Sequence, residues 1–293
     1  MNMLEMNSIQ ELVTEAETSG KNISEVVLEQ ECSNMEKTRE ELLDRMKRSL
    51  KVMEEAIEKG LDKDLKSPSG LSGGNAFKLN QALQNGIVGR DIFTKAMVKA
   101  LAVSEFNACM GKIVAAPTAG SSGILPAVLF AAKEEYGIEE DQLALSLFTA
   151  GGFGMVIAKL ASISGAEGGC QAECGSASAM AAAALVELRG GTPAMAAHAC
   201  AIAIKNSMGL VCDPVAGLVE VPCVKRNVSG TVNAFAAANL ALAGIESVIP
   251  ADEVIQAMGR VGRQMPCQLK ETAEGGIAAT PTAKKISSMV LKW

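Results

Sequence analysis

From residue 67 onward the chain alternates glycine- and serine-rich loops with stretches built on alanine. These are SPSGLSGGNAFKLNQAL (67–83), PTAGSSGILPAVLFAAKEEYG (117–137) and SGAEGGCQAECGSASAMAAAALVEL (164–188). Alanine is the strongest helix former, and its single methyl lets neighbouring helices approach closely. Sheets draw instead on β-branched and aromatic side chains, and aromatics make up only 3% of this sequence. Alternation at the strand period is scarce, and no fixed-period repeat is present. The expected fold is mainly α. The chain has 293 residues, 48% of them hydrophobic, which is enough to bury a sizeable core.

Residues 1–66 read differently: they are charged and strongly periodic. Ser8-Ile9-Gln10-Glu11 and Ser33-Asn34-Met35-Glu36 both fit the capping-box pattern at a helix start. After the second come Met35, Leu42, Leu43, Met46, Leu50, Met53, Ile57 and Leu61, one apolar stripe at helix spacing, with Gly60 as the expected stop. The predicted organisation is a helical N-terminal arm (1–66) ahead of a helical domain (67–293). The arm is either a docking surface for another chain or a cap on the core.

Net charge is −6, so a basic footprint for nucleic acid is absent. The opening MNMLEMNSIQELVTEAE is acidic and has no apolar h-region, so no secretory leader is expected. VNAFAAANLALAGIESVI contains Asn233, Asn239 and Glu246 and reads as a buried helix, not a membrane span. A cytoplasmic protein is expected, with neither membrane nor nucleic acid as partner. In a reducing compartment its eight cysteines are core residues, metal ligands or reactive thiols, not a disulfide framework.

Three glycine-rich loops entering helices suit a small anion, because a helix start presents unpaired N–H groups. None matches the P-loop or a strand-led G-x-G-x-x-G, so a small carboxylate or a negatively charged cluster fits better than a nucleotide phosphate. The candidate loops are Ser72, Gly73, Gly74, Asn75 and Thr118, Gly120, Ser121, Ser122, Gly123. Each can equally serve only to cap the helix it enters.

Three cysteines, Cys170, Cys212 and Cys223, lie beside glycine or proline in loops or at helix mouths. Cys174 follows Cys170 by one turn, while Cys32, Cys109, Cys200 and Cys267 have no evident partners. Free cysteine is often simply a core residue. The spacing fits neither paired C-x-x-C zinc sites nor the ferredoxin run. Three loop thiolates without a fourth suggest instead a cluster with one open, Lewis-acidic iron.

CDPVAGLVEVPCVKRN (212–227), SISGAEGGCQAECGSA (162–177), APTAGSSGILPA (116–127) and LSGGNAFKL (71–79) together resemble the iron–sulfur-dependent L-serine dehydratases. The likeness is to the α chain of the two-subunit bacterial type and runs from about residue 60 to 283. It implies a mostly helical fold whose Gly/Ser loops carry a [4Fe-4S] cluster, without pyridoxal phosphate. It implies deamination of L-serine to pyruvate and ammonia, as in serine degradation and gluconeogenesis, and a β subunit as partner. The family's three-cysteine pattern falls on Cys170, Cys212 and Cys223. Some single-chain relatives cap the fourth iron with a C-terminal cysteine; SSMVLKW has none, so tail capping is not expected here.

Few residues of this chain are suited to act as the general base. His198 is the single histidine, in an alanine-rich stretch without a motif. Lys78 and Lys112 lie near the motif loops, but a lysine base needs desolvation. Family β chains carry a Ser-Ser-Ser-His-Thr-like loop, which makes a base from the partner subunit the preferred expectation. Glu167 and Asp213 neighbour cluster cysteines; Asp213 is read as opening a turn with Pro214, and Glu167 as solvated in preference to supporting the ligands from behind. Lys270, Glu271, Glu274, Gly275 and Gly276 are further pocket candidates, with Cys267 structural. Two rivals stand beside this reading: a related cluster-dependent L-cysteine desulfidase, and a non-catalytic metal-binding or electron-transfer subunit.

Overall fold

The computed structural model describes residues 6–291, and within them the chain is helical with no strand. The first and last residues of the two terminal motifs, 1–5 and 292–293, lie outside the described residues. Three helices form the N-terminal region: α1 (Ile9–Ser19), α2 (Ile23–Met35) and α3 (Arg39–Gly60). Then come α4 (Asn75–Gln84), α5 (Ile92–Ala108), α6 (Ile124–Tyr136), α7 (Glu140–Leu160) and a single turn, α8 (Gly165–Gly168). The chain continues through α9 (Ser176–Leu188), α10 (Pro193–Ser207), α11 (Cys223–Leu242), α12 (Ala251–Gln264) and α13 (Pro281–Val290).

The centre is α9, SASAMAAAALVEL, whose first eleven residues are all buried. It packs against α6, α7, α10 and α11. Alanine permits this because a helix with short side chains can be surrounded at small interaxial distances. Glycines on the neighbours assist. A β-carbon on Gly154 of α7 would stand 2.9 Å from Met180 Cε, and one on Gly230 of α11 would stand 2.5 Å from Ile124 Cδ1. α7 is long and apolar enough to cross a membrane by composition, but 67% of that stretch is buried inside the protein.

The N-terminal helices share one hydrophobic core with the rest: Ile9, Leu12, Val27 and Met53 belong to the same cluster as Phe148, Phe153 and Ile255. Ser8 caps α1 as its sequence suggests, accepting the Glu11 N–H at 3.0 Å. The second capping box is displaced. Ser33 lies inside α2, which runs on to Met35 and closes on Glu36 in a left-handed conformation (φ 52°). The box that starts α3 is formed by Thr38 and Glu41. Met35 therefore belongs to the preceding helix and is 46% exposed, while Leu42, Leu50, Met53 and Ile57 form the buried stripe. Two S/T-x-x-E patterns lie close together, and a tight αL stop between them selects the later one. Gly60 does end α3, and it also lets α3 touch α5: a β-carbon there would lie 2.0 Å from the Ala102 carbonyl oxygen. The stretch read as a continuous helix to Ile249 ends earlier, at Leu242, with Ala243 as its cap.

Candidate functional site

Cys170, Cys212 and Cys223 come from three connections that meet beside the start of α9. Cys170 heads a π-helical turn (Gln171–Gly175) that leads into α9, Cys212 lies in the loop after α10, and Cys223 begins α11. All three are free and buried. Burial pushes the Cys212 thiol up, and Glu173, Cys170, Glu271 and Cys223 add to it. Burial also raises Cys223, to about 12, with Cys170 and Glu173 contributing and Arg226 opposing. The hydrogen bond with Cys174 moves Cys170 the other way, aided by the Arg226 charge and opposed by burial. Each thiol thus feels the other two or their shared neighbours, so the three occupy one electrostatic neighbourhood.

The donor set suits a cluster. The thiols are soft ligands in a buried setting, and a metal centre supplies the positive charge that turns such thiols into thiolates. Among the described residues, no three His, Cys, Asp or Glu side chains converge tightly enough to hold one metal ion. A multi-iron cluster takes each thiolate on a different iron, so its ligands stand wider apart than those of a single zinc ion.

The backbone around Cys212 is held from two sides. Its N–H donates to the Leu269 carbonyl at 2.8 Å, and its own carbonyl accepts the Glu271 N–H at 2.7 Å. These bonds form an isolated parallel bridge with Lys270. From the other side Arg226, three residues after Cys223 on α11, donates to the Val211 carbonyl at 2.7 Å and pairs with Asp213 Oδ1 at 2.8 Å. Arg226 thereby grips both neighbours of Cys212 from the helix that carries Cys223. The second carboxylate oxygen of Asp213, Oδ2, accepts the Ile277 N–H at 2.7 Å. Gly276 makes room for this at φ 56°, because a β-carbon there would lie 2.2 Å from that oxygen.

Glu173 lies in the middle of this arrangement. Its Oε1 accepts the Thr118 hydroxyl at 2.8 Å, and its Oε2 stands 3.9 Å from the Cys212 sulfur. Two glycines admit it: a β-carbon on Gly120 would lie 3.1 Å from Oε1, and one on Gly165 would lie 2.6 Å from Oε2. Burial raises its pKa above the usual carboxylate value; the Thr118 hydrogen bond opposes this and the Glu271 charge adds to it. No sequence motif marks Glu173, although it stands three residues after Cys170, the spacing that puts two side chains on one helix face.

The two candidate loops have different partners. In the first, the Gly73, Asn75 and Ala76 N–H groups donate to Glu105 at 2.9, 2.9 and 3.0 Å, and the Asn75 side-chain amide joins them. Ser67 and Ser69 donate to Glu220 at 2.7 and 2.6 Å, and Ser72 donates to the same carboxylate. Glu220 stands three residues before Cys223, so this loop braces the cysteine loop. In the second, Thr118 bonds Glu173 and contacts the Ser121 hydroxyl at 3.1 Å. The Ser122 hydroxyl donates to the Ala119 carbonyl at 2.8 Å, and Gly123 N–H donates to Asn227 Oδ1 at 2.9 Å. The Asn227 amide donates to the Gly120 and Cys223 carbonyls at 2.7 and 3.0 Å. Asn227 thus ties the 118–123 loop to the turn that carries Cys223.

The remaining candidates lie as follows. Lys78 and Lys112 are exposed. His198 accepts the Ser247 N–H on Nδ1 at 3.2 Å and lines a cavity with Ile9, Val13, Ile249 and Asp252, residues of the α1, α10 and α12 side. Glu167 is exposed and accepts the Ser162 hydroxyl at 2.6 Å. Lys270 faces a cavity shared with Glu167, Gln171 and Arg263, while Glu271, Glu274 and Gly276 are exposed, Gly275 is half-buried and Cys267 is exposed.

Residues 18–278 match the family described as serine dehydratase alpha chain. The chain is 54% identical over 269 residues to the probable L-serine dehydratase, alpha chain, of Bacillus subtilis, covering 92% of this chain and 89% of that one. It is 48% identical over 289 residues to the L-serine dehydratase, alpha chain, of Peptoniphilus asaccharolyticus, covering 98% and 99%. The L-serine dehydratase of Streptomyces coelicolor is 39% identical over 277 residues, which are 92% of this chain but 59% of that longer one.

Proposed function

The chain belongs to the serine dehydratase alpha-chain family, and from that premise we propose that it is the α chain of an L-serine dehydratase. This ammonia-lyase removes water from L-serine and yields pyruvate and ammonia. The observation that carries the reading is the meeting of Cys170, Cys212 and Cys223, buried and electrostatically linked, beside Glu173 and the 118–123 loop. A [4Fe-4S] cluster held by these three thiolates would supply an iron with an open position, a Lewis acid for the hydroxyl that must leave. The reading needs no pyridoxal phosphate.

The chain's own residues do the positioning. Arg226 sets the Cys212 loop against α11 and places a positive charge beside thiols that become negative on binding metal. We assign the substrate carboxylate to the 118–123 loop (Thr118, Gly120, Ser121, Ser122, Gly123), whose Thr118 and Gly120 are half-buried beside Glu173, the carboxylate next to Cys212, with Ser121 and Ser122 buried behind them. The donors of Ser72, Gly73 and Asn75 are engaged by Glu105 and Glu220, and Gly74 is the left-handed residue that starts α4 (φ 74°), so that loop contributes by fixing the wall. Burial around the thiols keeps bulk water from the reacting carbon and strengthens each electrostatic contact. The α-proton goes to a base on a β chain: His198 is committed to Ser247, and Lys78 lies in water. Elimination leaves an aminoacrylate, which tautomerises and hydrolyses in water unaided. The setting that fits is a cytoplasmic α–β pair acting in serine breakdown.

The test is anaerobic reconstitution with iron and sulfide, with and without a β chain, followed by pyruvate detection from L-serine and sulfide detection from L-cysteine. Visible cluster absorbance, with serine turnover that needs both chains, is the expected result. Zinc-only binding without that absorbance overturns the cluster reading. Full turnover by this chain alone overturns the assignment of the base.

A further inference from the structure

Cys174 has no place among the three proposed ligands, yet it is buried and its sulfur lies 3.4 Å from that of Cys170. The two residues stand four apart across the π-helical turn, with side chains on the same face. π-Helical turns are rare and concentrate where a helix must place a functional group. Two thiolates on one metal ion, with bonds of about 2.3 Å, stand roughly 3.8 Å apart. Cys174 is therefore too close to Cys170 to reach a different iron, and its available chemistry is with the Cys170 sulfur itself.

We propose that Cys170 and Cys174 form a reversible oxidation site, whose oxidant class is peroxide. In the chain without its cluster, peroxide joins the pair as a disulfide that withholds Cys170 from cluster assembly and shields it from irreversible oxidation. The step balances. The Cys170 sulfur attacks one oxygen of hydrogen peroxide, the O–O bond breaks, and a sulfenic acid and water result. The Cys174 sulfur then attacks the sulfenic sulfur, the S–S bond forms, and the hydroxyl leaves as a second water. Two thiols lose two electrons and two protons, and one peroxide becomes two waters. The inference rests on the reading of Cys170 as a cluster ligand, and it gives Cys174 the role of resolving thiol.

The test uses the full-length chain purified in air and treated with hydrogen peroxide. The peptide carrying residues 170–174 is weighed, and iron and sulfide uptake is measured before and after dithiothreitol. The expected peptide has lost two hydrogens and gained no oxygen, with uptake blocked until the thiol reagent restores it. In Cys174→Ala, oxygen accumulates on Cys170, and the uptake recovered after reduction is at least tenfold lower than in the parent. Oxygen added to Cys170 in the parent chain overturns the inference, as does a disulfide to another cysteine or full recovery by Cys174→Ala. The parent's mass requires no variant to fold. Chain without peroxide treatment that takes up no iron even after dithiothreitol defeats the cluster reading, whereas uptake without a 170–174 disulfide after peroxide defeats this inference alone.

Discussion

The loops at 67–76 and 117–123 are written in the same residues and both open onto helices, yet they face different partners. The first turns its donors inward, onto Glu105 and Glu220, two carboxylates buried in the protein. It is a latch, and through Glu220 it braces the cysteine loop. The second turns Thr118 toward Glu173, a half-buried carboxylate whose other oxygen approaches Cys212. A Gly/Ser loop is a set of short donors, and the acid that meets it decides whether those donors close a wall or border a site. Glu105 accepts from four donors at once, so its removal strands backbone N–H groups in the interior, where each costs about 1–3 kcal/mol.

Variants at these positions separate latch from site. Cys212→Ala is expected to have the largest effect, loss of iron and sulfide from the reconstituted protein and a fall in serine turnover of at least about 10³-fold. Metal analysis and pyruvate release read both. Glu105→Ala is expected to lower stability by about 3–5 kcal/mol in chemical denaturation, because its removal leaves buried donors unpaired. Parent-like stability with altered serine binding would make the two loops alike. Glu173→Gln keeps a partner for Thr118; it is expected to change stability by less than about 1 kcal/mol while kcat falls roughly 10- to 100-fold through lost positioning. The two loop serines give the finest comparison. Ser72→Ala is expected to cost about 1 kcal/mol of stability with KM for serine unchanged, and Ser121→Ala to raise KM. A raised KM in Ser72→Ala would move the substrate contact to the first loop. His198→Ala is expected to leave kcat unchanged and to cost about 0.5–1 kcal/mol, the worth of one hydrogen bond from Ser247.

What could be read from the chain and what could not divide along the same line. The helical class follows from alanine content and periodicity, and the Ser8 cap from a local pattern, because those interactions span only a few residues. The second cap falls on Thr38 instead of Ser33: both carry the same signature, and the choice depends on where α2 stops. Glu173, Arg226, Asn227, Glu105 and Glu220 attracted no functional reading. Each acts on a residue from a distant segment or on a neighbour brought round by the fold: Glu173 on Thr118, Glu105 on Gly73, Glu220 on Ser67. The 267–277 segment carries pocket candidates, and it has a second role that its residue types do not show. Its backbone proves to be what holds Cys212 and Asp213, through Leu269, Glu271 and Ile277.

By itself the sequence determined a helical protein with close-packed alanine cores and three thiols in loops or at helix mouths, because helix propensity and turn chemistry are local properties of the chain. Only the tertiary structure decided which carboxylate answers each glycine–serine loop, and that Cys174 rests against Cys170. Those pairings depend on which segments the core brings together. Hydrogen bonds between residues far apart in the chain leave no periodic trace in the order of the amino acids.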